Sequence, residues 1–149
     1  MTTNESRPSG VGRKQRQPIW RPVGAVGMLT AVVTEQLKHT RDLLALMEQA
    51  RPSRPDARIV SDYTVSETLR IYGQMAVHYR SVFAEQGRRW LAEATSNTTI
   101  QQAVIAYTKL VDEHLVVLND LLALAGQVQN HTLEKIIAKN RPGAGTEQR

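Results

Sequence analysis

Between positions 51 and 94 all seven basic residues are arginine. A guanidinium is planar, permanently charged and able to hold a phosphate or carboxylate through two parallel hydrogen bonds. Four of the seven, Arg70, Arg80, Arg88 and Arg89, fall in one segment of helical periodicity. On an unbroken α-helix, Arg70 and Arg88 stand about five turns apart, so they project from one face with roughly 27 Å between them. That face also carries Ser66, Gly73, Gln74, Ser81 and Ala84, small side chains that let a phosphodiester strand come close to the helix. Arg80 and Arg89 flank the strip, and a second basic run, Arg13-Lys14-Gln15-Arg16, lies near the N-terminus. The expected partner is an RNA or single-stranded DNA backbone, gripped electrostatically at Arg70, Arg80, Arg88, Arg89, Arg13, Lys14 and Arg16 without reading bases. The net charge of +5 is modest, but the excess sits in the N-terminal arm and in the middle of the chain.

Other chemistries find little support. The chain has no cysteine, which excludes disulfides, thiolate nucleophiles and cysteine-ligated metal, and suits a reducing cytoplasm. None of the four histidines has an acidic residue three positions before it, so the inward-facing Glu-x-x-His pairs of a helical di-metal site are missing. His114 lies on an apolar seam, and its expected role is that of a part-buried histidine bonded to a neighbouring hydroxyl such as a tyrosine. There is no Gly-x-Ser-x-Gly elbow, phosphate-binding glycine loop or dinucleotide fingerprint. The expectation is a protein that is not an enzyme and needs no cofactor or metal. No run of roughly 20 apolar residues is present, and no secretory leader, so the reading is a cytoplasmic protein.

The elements that must position these residues are helices. Val26, Leu29, Val33, Gln36, Thr40, Leu43 and Met47 step by alternating threes and fours until Pro52 and Pro55 intervene. Leu69, Tyr72, Ala76, Tyr79, Phe83, Gln86 and Trp90 repeat the pattern in a second helix, beginning near Pro55 or at Ser61 or Asp62 and ending near Ala94. This seam takes most of the aromatic rings, leaving Tyr63 and Trp20 as the free ones. A third helix, with Thr98 and Gln101 as a capping box, runs through Ile100, Val104, Tyr107, Val111, His114, Leu118, Leu121, Ala125 and Val128. Gly126 and residues 127–132 are expected to kink or end it, leaving Leu133, Ile136 and Ile137 as a short fourth helix or a bent continuation of the third. The fold class is therefore all-α, an antiparallel bundle of three long helices plus a short C-terminal helix or kinked extension.

Around this bundle, residues 23–139, the composition predicts a flexible basic arm over 1–22 and a disordered tail over 140–149. Ile19 and Trp20, between Pro18 and Pro22, are the arm's apolar anchor. Leu110, Val117 and Leu124 widen the third seam beyond what three helices need, which predicts self-association or packing on a larger subunit. A cysteine-free bundle of this size with Arg70, Arg80, Arg88 and Arg89 on its second helix resembles the small subunit of multisubunit CRISPR effector complexes. That resemblance implies a non-catalytic protein present in several copies, stacked along larger protein subunits and lining a basic path for nucleic acid. Two alternatives stay open: a protein-only helical adaptor or oligomeric scaffold, and a plasmid-type accessory DNA-binding protein using Arg13 to Arg16 as its arm.

Overall fold

The computed structural model describes residues 18–93 and 96–140, and among them every regular element is helical. Pro22 ends an extended segment, and a single 3₁₀ turn, Val23–Ala25, leads into α1, Val26–Glu48. Val33, Leu37, Thr40 and Met47 are its buried residues, close to the expected stripe. The chain leaves α1 through Pro52 and Pro55 and returns only at Ser61, whose hydroxyl accepts the Thr64 N–H at 3.1 Å. Ser61 is thus the cap of α2, Asp62–His78, and Asp62 in the first turn faces the positive end of the helix dipole.

After α2 the rod continues through one π-helical turn, Tyr79–Phe83, into α3, Ala84–Glu93. The last helix, α4, spans Thr98–Asn140. Its cap is Asn97 and not Thr98: the Asn97 side chain accepts the Ile100 N–H at 3.0 Å, which makes Thr98 the first helical residue. No capping box forms there, because the position three residues after the true cap is an isoleucine.

The three rods run up, down and up. Thr40 of α1 meets His114 of α4, and Met47 meets the cluster around Leu121 and Leu124. Tyr79, leaving α2, touches both Gln36 and His114, while Trp90 of α3 packs edge to face on Tyr107 with centroids 5.1 Å apart. One apolar cluster holds Val33, Ala76, Tyr79, Trp90, Val104, Tyr107, Val111 and Leu118. The other, at the end where α1 gives way to α2, holds Met47, Ala50, Val65, Leu121, Leu124, Ala125 and Val128.

The separate fourth helix is not found. α4 passes through Gly126 without interruption, because Ala125 and Val128 on either side are buried in the second cluster and outweigh the cost of about 1 kcal/mol of a helical glycine. Part of the extra width of the third seam is used within the bundle, since Leu124 is buried and Leu110 packs against the first cluster, whereas the half-buried Val117 belongs to neither cluster. Exposed apolar side chains lie further along α4, among them Leu133, Ile136 and Ile137.

Gly73 sits within α2 with open space where a Cβ would stand. Gly73→Ala is therefore expected to stabilise the protein by about 0.5–1 kcal/mol, as a shift of the urea midpoint to higher concentration. A lower midpoint would mean that something approaches that backbone in the folded protein.

Candidate nucleic-acid interface

The π turn decides how the arginines are arranged. Its signature is the Ala84 N–H bonded to the Tyr79 carbonyl, five residues back. Two contacts hold it in place: the Tyr107 hydroxyl donates to the Phe83 carbonyl at 2.9 Å, and the Tyr79 and Phe83 rings stack with centroids 4.2 Å apart. Such a turn absorbs one residue more than an α turn, so every side chain beyond it is rotated back by about 100°. Arg70 consequently shares its line with Arg89, and Arg88 falls in line with Arg80, about two turns away. The single Arg70–Arg88 face expected from unbroken helical phase does not form. In its place there are two neighbouring lines on the same rod.

All four guanidinium groups are exposed, but they are not equally available. Arg70 is held by Glu67 through two hydrogen bonds of 2.7 and 3.2 Å, and that contact keeps the Glu67 carboxyl below its ordinary range. One carboxylate, Glu85, serves both Arg88 at 2.8 Å and Arg89 at 3.4 Å. Arg80 has no ion pair among the described residues. The half of the rod from Arg80 to Arg89 therefore presents three guanidinium groups against Glu85. Arg13, Lys14 and Arg16 lie outside the described residues.

The segment 18–22 is anchored on this same half. The buried Gln86 amide accepts the Arg21 N–H at 2.8 Å and donates to the Arg21 carbonyl at 3.3 Å. The Trp90 indole N–H reaches the same carbonyl at 2.9 Å. Arg89 lies over the Trp20 ring, 4.2 Å from its centroid, in a cation–π contact. Trp20 is thus a docked residue and not a free aromatic, whereas Ile19 stays 83% exposed and Tyr63 is free as expected. Gln86 was legible only as a polar residue on an apolar seam. Its partner, a main-chain peptide 65 positions away, left no mark in the sequence.

His114 is fully buried, and the hydroxyl it meets belongs to Thr40, not to a tyrosine. The Thr40 hydroxyl donates to the Gln36 carbonyl at 2.8 Å, so it accepts from the His114 Nε2–H at 2.7 Å. Tyr79 presents its ring edge to the imidazole and donates its own hydroxyl to the Gln36 side chain. The imidazole Nδ1 is left without a partner. Burial, reinforced by the positive charge of Arg41, pushes the His114 pKa down to about 4, which keeps the ring neutral near pH 7. It bridges two helices through its bond to Thr40. Among the described residues no group of three or more His, Asp or Glu is placed to hold a metal ion, and no helix is long and apolar enough to cross a membrane. No protein-family model, no curated protein and no solved structure matches this chain.

Proposed function

We propose that this protein is a non-catalytic helical subunit that holds a nucleic-acid backbone within a ribonucleoprotein assembly similar to a CRISPR effector complex. The observation that carries the reading is the charge imbalance on the second rod: Arg80 without an ion pair among the described residues, Arg88 and Arg89 sharing one carboxylate, and Arg70 in line with Arg89. Guanidinium groups about two turns apart on one line, as Arg80 and Arg88 are, suit separate, non-adjacent phosphates of a strand lying along the rod. Arg70 can exchange Glu67 for a phosphate at little cost, because an exposed ion pair of this kind contributes little to the fold. Larger protein subunits, or further copies of the chain, would take the exposed face of Leu133, Ile136 and Ile137.

The test is binding of single-stranded RNA and of single-stranded DNA across a salt series. Affinity is expected to fall steeply as salt rises, and the Arg80→Ala, Arg88→Ala double variant should reduce the slope of log K against log salt by about 1.4, since each single-strand phosphate contact adds about 0.7. Base composition should matter little. Absent or salt-independent binding would reject the reading in favour of a protein-only scaffold.

A further inference from the structure

A cavity of about 340 Å³ opens between the anchored N-terminal segment, α1 and the π turn, and it has the size and lining of a small-molecule site. Its walls are apolar: Leu29 from α1, Val82 and Phe83 from the π turn, and Ile19 from the segment that crosses above them. The other polar groups of the lining are already committed. Both ends of the Gln86 amide hold Arg21, and the Tyr107 hydroxyl is bonded to the Phe83 carbonyl. What remains is basic. Arg21 and His78 both line the cavity, and among the described residues the Arg21 guanidinium has no ion pair. Among the described residues the His78 ring makes an edge contact with Phe83, with centroids 5.3 Å apart, and has no ion pair. Among the described residues no acidic side chain lines the cavity.

An apolar chamber with two unpaired basic groups and no carboxylate selects for a particular ligand chemistry. From this arrangement we infer that the cavity binds a small hydrophobic carboxylic acid, its hydrocarbon body between Leu29, Val82 and Phe83 and its carboxylate on Arg21 and His78. A neutral ligand of the same shape would gain the apolar contact alone, and an amine would meet positive charge. The segment 18–22 forms one wall, so binding also tightens its attachment to α3. This inference is independent of nucleic-acid binding, because Arg21 and His78 lie outside the proposed backbone grip.

The probes are 1-naphthoate, 1-naphthylmethanol and 1-naphthylmethylamine, titrated into the full chain by calorimetry. Naphthoate should bind with at least about tenfold higher affinity than the alcohol, and the amine should bind more weakly still. Arg21→Gln and His78→Gln alter exposed side chains and leave the fold intact; each should bring naphthoate down towards the alcohol while leaving the alcohol unchanged. Val82→Trp, checked for helical content by circular dichroism, should abolish binding of both by filling the chamber. Equal affinities for the three probes, no binding of any, or naphthoate affinity indifferent to Arg21→Gln and His78→Gln, would each overturn the inference. So would full naphthoate affinity in a folded Val82→Trp protein.

Discussion

Trp90→Ala is expected to destabilise the protein by about 3–5 kcal/mol, read as a fall in the urea midpoint at unchanged m-value. The indole is wholly buried, packs on Tyr107 and donates to the Arg21 carbonyl, so its removal empties core volume and withdraws a hydrogen bond together. For a domain whose total stability is of order 5–15 kcal/mol, that is a large share. Trp90→Phe separates the two effects. It keeps an aromatic ring in the core but leaves the Arg21 carbonyl with only the 3.3 Å bond from Gln86, a loss of about 1–3 kcal/mol. It also leaves Trp20 as the sole tryptophan, since the chain has two. The emission of that single residue reports directly on whether segment 18–22 stays on α3. A red shift on replacing Gln86 with leucine in the Trp90→Phe background is the expected result; unchanged emission would show that the segment is held by something other than the Gln86 amide.

Acidification will be the second large effect, and its upper window belongs to His114. In the unfolded chain the imidazole titrates near its ordinary value of about 6.5, whereas in the fold it is pushed down to about 4. Between those values the unfolded state takes up a proton that the folded state does not. Stability therefore falls as pH drops from 6.5 towards 4, by roughly 3 kcal/mol in all, and levels off below the folded pKa. The carboxyls of Glu48, Asp56 and Glu67, each held below its ordinary range by hydrogen bonds from arginine, add their own loss only from about pH 4.5 downwards. His114→Phe should flatten the curve between pH 6.5 and 4.5. At pH 7 it should change stability by no more than about 1 kcal/mol, because Thr40 keeps its bond to the Gln36 carbonyl and the unpartnered Nδ1 disappears. Equilibrium unfolding of both proteins at several pH values decides it, and an identical slope in the variant would place the acid sensitivity elsewhere.

How much of this was legible in the sequence differs sharply between fold and site. The alternating steps of three and four placed Val33, Met47, Tyr79, Trp90, Tyr107, Val111, Leu118 and Leu121 in the core correctly, because apolar burial is what makes that spacing necessary. The polar residues that interrupted the seams, Gln36, Thr40, Gln86 and His114, were the less obvious signal. Each proved to be one partner of a bond between elements, yet the identity of the other partner depended on tertiary approach. The arginine arrangement was misread for a definite reason. A stripe about 100° wide tolerates a slip of one residue, so Tyr79, Phe83, Gln86 and Trp90 fit an uninterrupted helix as well as one carrying a π turn. The hydroxyl that bonds within that turn comes from Tyr107, on another helix. Gly126 erred in the other direction: its local preference against helix was real, but burial of Ala125 and Val128 prevailed.

The π turn also changes what a deletion means in this protein. Substituting any one of Tyr79 to Phe83 alters a side chain, whereas removing one closes the turn to plain α-helix and leaves α3 facing as it does now. Gln86 and Trp90 would stay on Arg21, and Arg89 would stay in line with Arg70. The turn behaves as a built-in insertion, so helix faces on its two sides can be compared, within this chain or with any relative, only with a gap of one position at residues 79–83.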